Sequence, residues 1–157
     1  MMDIRPLASD AEAERCAAIM CATDPWITYG RTYDACLGSI RQPINEVYVA
    51  VDDDTILGFI VVVMQGALAG YIRAICVDAS TRGKGLGSRL VAFAEERIFR
   101  EMPNVFLFVS EFNTRARALY ERLGYEKVAE MRDYIARGYS EILMRKTIGP
   151  LAEFVKR

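Results

Sequence analysis

The sequence predicts an α/β (α+β) chain: a mixed, mostly antiparallel sheet with one βαβ crossover and helices on both faces. Three observations predict it. Short β-branched runs separated by tight turns, from Glu46 to Val77, make an antiparallel meander. A helical apolar period then takes over from about Gly85 to Arg100. A wholly apolar run, Val105 to Val109, follows at once, as expected of a buried central strand reached by a crossover.

The elements follow in order. Asp3 to Leu7 suits a short first strand. Ser9 and Glu12 form an S-x-x-E capping box for a helix running to about Met20. Asp24 to Arg31 is a loop by its Pro25 and Gly30. Tyr33, Cys36, Leu37 and Ile40 lie on one helical face. Glu46–Val51 and Ile56–Met64 are strands joined at Asp52-Asp53-Asp54, and Gly66 to Gly70 turns the chain into Tyr71–Val77. Leu86, Leu90, Phe93, Ala94 and Ile98 carry the next helix, which Met102-Pro103-Asn104 stops. Asn113 suits the cap of a helix bearing Ala116, Leu119, Tyr120 and Leu123, ended by Gly124. Val128–Tyr134 and Glu141–Lys146 read as a closing antiparallel pair. No repeat, low-complexity tract or linker divides the chain, so 1–157 is expected to be one domain.

Composition excludes several functions. The 157 residues are 52% hydrophobic and 26% charged, as in a folded soluble protein, with a net charge of -1. That charge argues against general nucleic-acid binding. The stretch from Ile56 to Ile72 is too short and too interrupted for a membrane span, and residues 1–20 lack the apolar core of a secretion signal. Cys16, Cys21, Cys36 and Cys76 show no CxxC spacing, so free thiols in a cytoplasmic protein are expected. There is no histidine. Its absence removes Ser-His-Asp and Cys-His catalysis and histidine-ligated metal, and no metal is expected.

The chemistry concentrates in Arg82-Gly83-Lys84-Gly85-Leu86-Gly87, where the crossover helix begins. A helix start offers unpaired N–H groups and a positive dipole end. Glycines let a bulky anion approach, and Arg82 and Lys84 add positive charge, so a pyrophosphate suits the place. A Walker A loop is excluded, because Gly85 follows Lys84 and Asp78 stands five residues before Gly83. A dinucleotide fingerprint fails because its last glycine position falls on Ser88 and five residues separate the loop from the strand. The pattern R/Q-x-x-G-x-G/A after a strand is met by Arg82, Gly85 and Gly87.

That pattern resembles the GNAT superfamily of N-acetyltransferases. Tyr71 to Asp78 looks like the superfamily strand before the loop, and Asn113 to Glu126 is similar to its N-x-x-A-x-x-L-Y-x-x-x-G-F/Y signature. The second half looks most like the ribosomal-protein alanine acetyltransferases. The resemblance implies acetyl-CoA as cosubstrate on Arg82 to Ser88, with the pantetheine arm against the backbone of Ile75, Cys76 and Val77 and against Asn113. It places the thioester carbonyl on the Val77 N–H and makes Tyr120 the general acid. Asn113 is equally a plain helix cap by spacing, and Tyr120 a packed helix tyrosine. The glutamate that alanine acetyltransferases carry five residues before the asparagine is Phe108 here. Glu111 on the following loop is either the base or solvated surface, and a water relay to a backbone carbonyl or a distant carboxylate is the alternative base. Cys76 has no histidine to activate it, which disfavours a covalent acetyl-enzyme. Trp26, Tyr29, Arg31, Tyr134, Arg137 and Tyr139 serve either as acceptor pocket or as packing. An acetyltransferase acting on a small amine, amino acid or peptide N-terminus is therefore expected, against an acyl-CoA sensor without turnover. Pairing with a second copy stays open.

Overall fold

A computed structural model describes residues 1–156. β1 (Asp3–Pro6) leads into α1 (Asp10–Cys21) and α2 (Tyr33–Ile40). The meander follows as β2 (Asn45–Asp52), β3 (Thr55–Val63) and β4 (Tyr71–Val77). Then come α3 (Leu86–Phe99), β5 (Asn104–Ser110), α4 (Thr114–Arg122), β6 (Glu126–Arg132) and β7 (Ser140–Thr147). The seven strands run in the order β1-β2-β3-β4-β5-β7-β6, and only β4 and β5 are parallel.

Local chemistry sets the boundaries. The Ser9 hydroxyl caps α1 by accepting from the Glu12 N–H. The reciprocal half of the capping box shifts by one residue: Glu12 accepts from the Ala8 N–H at 2.7 Å and pairs with Arg5. Asp53 and Asp54 both take positive φ, which turns β2 into β3 with the twist a hairpin needs. β6 begins and ends two residues earlier than the sequence suggests. At Asp133 φ is +54°, and its carboxylate accepts from the Gly138 N–H, so the chain bends before Tyr134. Tyr134 thereby leaves the strand and enters the loop over β5.

The sheet separates two apolar layers. On one face, Cys16 and Met20 of α1 and Cys36 and Ile40 of α2 cover Val49, Phe59 and Val61. On the other, Leu90, Val91, Ala94 and Ile98 of α3 cover Ile60, Val62, Val105 and Leu107. Both faces of the central strands are buried, which explains their unbroken apolar runs.

The strand pairing fails at one place. β4 and β5 are in register only at Tyr71–Phe106 and Ile72–Leu107. Just beyond, the β3–β4 register slips and leaves Arg73 without a partner on β3. A bulge bends its strand and raises the local twist. From there β4 stays with β3 as far as Gly58–Val77, while β5 stays with β7 as far as Ser110–Glu141. The sheet therefore opens into a wedge between the two C-terminal strand ends.

Gly70 holds the closed end of that wedge. Its N–H donates to Val63 and its carbonyl accepts from Phe106. Its φ is +91°, and an added Cβ would lie 2.4 Å from the Asn104 carbonyl oxygen. Gly138 also has positive φ (+88°) but faces open space. Gly70→Ala should cost about 3 kcal/mol from strain plus overlap, and Gly138→Ala about 1 kcal/mol from strain alone. Urea denaturation of the two variants measures the difference, and equal losses would contradict the crowding at Gly70.

Candidate active site

A cleft of about 750 Å³ fills the wedge. Asp78 fixes its floor. The Asp78 carboxylate accepts from the Ser80 N–H and hydroxyl and pairs with Arg15, and these contacts lower its pKa to about 2. It thereby caps a single helical turn, Ala79–Thr81, that carries β4 into the glycine loop.

Gly83 and Gly85 adopt φ of +78° and +81°, which side chains other than glycine rarely take, and a Cβ on either would meet nothing within 4 Å. Their glycine character serves backbone turning and leaves open space above α3. Gly85 caps α3 with no side-chain hydrogen bond, so the first-turn N–H groups face the cleft without an intramolecular partner from the cap. Leu86, Gly87 and Ser88 line it there. The Arg82 guanidinium donates to the Val77 carbonyl and to the Thr23 hydroxyl, both at 3.3 Å, which holds its charge beside the helix start.

Strand alternation decides which backbone groups of β4 face the wedge. The Asp78 N–H donates to Leu57 on the β3 side. Cys76 also turns that way: its carbonyl oxygen is 2.8 Å from where a Gly58 Cβ would stand. Ile75 and Val77 therefore direct their N–H and C=O groups into the gap. Both line the cleft, and Cys76 does not. Cys76, named with them from the sequence, turns its backbone toward β3 instead. Its thiol is 1% exposed in the α1–α2 layer, and burial raises its pKa well above the usual value. Lys84 also lies outside the lining, its ammonium 3.5 Å from the Ser80 carbonyl.

Asn113 and Tyr120 line the far wall. The Asn113 side chain accepts from the Ala116 N–H, so it caps α4 while facing the cleft. The Tyr120 ring packs edge-on against Tyr125, and its hydroxyl makes no hydrogen bond among the described residues. Burial, with the nearby Cys76 thiol adding to it, raises its pKa above the ordinary phenol value. It is a protonated donor with a free O–H. Arg115 and Arg122 of α4 line the same wall. Sequence reasoning missed both, because one face of a charged helix does not declare which cations turn inward.

The opposite mouth is aromatic. Trp26, Tyr29, Arg31 and Tyr134 all line it. Phe108 sits between Tyr71 (centroids 6.0 Å) and Tyr134 (5.3 Å, stacked). Glu111 is exposed and outside the lining. Tyr139 stays outside too and packs edge-on against Tyr29. Arg137 is also absent from the lining. Two carboxylates reach the cleft: Asp24, which accepts from the Thr28 N–H and hydroxyl, and Glu141, 3% exposed, which accepts from the Tyr29 hydroxyl. Tyr29 Oη also lies 3.1 Å from Ser110 Oγ. Glu141 was not singled out by sequence. Its one signal was a carboxylate placed directly before the apolar run Ile142-Leu143-Met144.

Glycine loop, split sheet and asparagine–tyrosine wall lie together along one cleft. Residues 11–125 match the acetyltransferase (GNAT) family model, and the chain belongs to that family. Among curated relatives, a blasticidin-S acetyltransferase of Streptomyces morookaense is 33% identical over 90 residues, 53% of this chain and 66% of the relative. The chain thus spans just under two thirds of that relative. Among solved structures, an aminoglycoside 6'-N-acetyltransferase complexed with coenzyme A superposes with a TM-score of 0.76 at 22% identity, over 94% of this chain and 98% of that one. The ribosomal-protein-S18-alanine N-acetyltransferase of Escherichia coli gives 0.74 at 21%, over both chains entire (100% of each). At these identities the structural likeness is one of fold.

The mouth tyrosines make an alkaline prediction. Burial raises both Tyr29 and Tyr71 from 10.0 to about 12, with Glu141 adding to each and the Ser110 contact opposing at Tyr29 and Arg73 at Tyr71. Above pH 10 the unfolded chain loses these protons before the folded one does. Their contribution to stability is whole below pH 10 and falls as pH rises toward 12. Urea midpoints across that range should decline, and Tyr29→Phe combined with Tyr71→Phe should flatten the decline.

Proposed function

We propose that the chain is an acetyl-CoA-dependent N-acetyltransferase that moves the acetyl group directly to a primary amine. The observation that carries this reading is the unpaired edge of β4. Ile75 and Val77 offer strand hydrogen bonds along a gap that starts at the glycine loop and runs past Tyr120. A pantetheine arm, with its two amides, matches such an edge as an added strand would.

Each residue then has a task. The α3 N-terminus, with Arg82 beside it, holds the pyrophosphate. Arg115 and Arg122 add positive charge on the same side. The Val77 N–H donates to the thioester carbonyl and stabilises the oxyanion as the amine attacks. Tyr120, protonated at neutral pH and with its hydroxyl free of other partners among the described residues, gives its proton to the departing thiolate. Asn113 holds the pantetheine arm while capping α4. The four thiols are unpaired, which suits a reducing cytoplasm. Among the described residues no helix is long and apolar enough to cross a membrane.

Two measurements test the reading. Tyr120→Phe should lower turnover about 10²- to 10⁴-fold with little change in coenzyme A affinity. Arg82→Ala should weaken coenzyme A binding about 10-fold or more by calorimetry, and Lys84→Ala much less. Coenzyme A binding without thiol release on a broad amine panel would instead identify a sensor.

A further inference from the structure

Glu141 is an exception among the sheltered carboxylates. Glu12 pairs with Arg5, Glu46 with Arg97 and Glu95 with Lys146. Glu141 is more buried than any of them, yet no cation among the described residues lies within 4.0 Å of it. Its Oε2 accepts from Tyr29. Its Oε1 has no hydrogen-bond partner among the described residues and is not sealed from the cleft. A desolvated carboxylate with an open oxygen is costly unless a cation completes it.

The surroundings select the cation. Tyr71, Phe108 and Tyr134 line the same mouth as a continuous aromatic wall. Aromatic faces attract ammonium ions and pack against apolar stems. Register places Glu141 opposite Ser110, and Leu143 opposite Phe108. The carboxylate thus stands one strand over from Phe108, and two positions along, at the open end of the wedge.

We propose that Glu141 binds the acceptor's ammonium group and takes its first proton, and that the acceptor is a primary amine on an aryl or alkyl stem. This rests on the acetyl-transfer reading. The ammonium gives one proton to Glu141, and the freed lone pair forms the C–N bond. The C–S bond breaks, and sulfur gains the Tyr120 proton. Nitrogen loses its second proton, which replenishes Tyr120, while the Glu141 proton passes to solvent. The sum is R–NH₃⁺ plus acetyl-CoA giving R–NH–acetyl, coenzyme A and H⁺.

The test uses phenethylamine and its uncharged counterpart 2-phenylethanol, titrated into the coenzyme A complex, and thiol release from acetyl-CoA with phenethylamine. Wild-type protein should bind the amine about 10-fold or more tightly than the alcohol. Glu141→Gln should erase that preference and lower kcat about 10²-fold, with coenzyme A affinity unchanged as the sign of an intact fold. Glu96→Gln, exposed on α3 and outside the cleft, should alter neither. Wild-type protein that binds both probes alike, or neither, overturns the inference, and so does Glu141→Gln that keeps preference and turnover. Wild-type protein that prefers the amine and loses this preference in Glu141→Gln, yet releases no thiol, overturns acetyl transfer while keeping the ammonium site.

Discussion

Everything in this structure turns on how soon β4 and β5 stop pairing. Two registered pairs hold them together, and the Arg73 bulge then steers β4 away. Had the ladder continued, the backbone groups of Ile75 and Val77 would be spent on β5 and no cleft would exist. The open edge is tolerable because each strand keeps its outer neighbour, β3 on one side and β7 on the other. Buried backbone groups need partners. An extended ligand supplies them, so the defect in the sheet is also its binding edge.

The same wedge organises charge. Its C-terminal strand ends meet the N-terminus of α3, where backbone dipole, Arg82, Arg115 and Arg122 place positive potential on one side. The other mouth holds rings, Arg31 and the buried Glu141 carboxylate, which has no cation within 4.0 Å among the described residues. In the proposed reaction the donor's phosphates lie on the first side and the acceptor's ammonium group lies against Glu141. Under the proposed reaction they meet at the unpaired edge of β4, beside the one phenol in the far wall with a free hydroxyl.

Without histidine, the chain has few ways to manage protons. Buried phenols stay protonated because desolvation disfavours their anions, so Tyr120 carries its proton at neutral pH. A carboxylate is the natural acceptor. Phe108 occupies the place where the resembling branch carries one, and Glu141 on the neighbouring strand reaches the same cleft. Tyr29 spans from the first loop to hold that carboxylate, linking residues 112 apart in the chain.

Much was legible in the sequence by itself. Periodicity and turn chemistry marked every strand and helix. The glycine loop and the Asn113–Glu126 signature marked the donor half, because those functions need particular residues at fixed short spacings. Boundaries moved where a backbone turn decided them, as at Asp133. What only the tertiary structure decided has a common physical cause: it depends on contacts between residues distant in sequence. The insertion of β7 between β5 and β6 is of this kind. So are the inward turn of Arg115 and Arg122 and the outward turn of Cys76. So, above all, is the meeting of Tyr29, Ser110 and Glu141. No local pattern encodes a carboxylate left without a cation. That fact exists only once the chain has buried it.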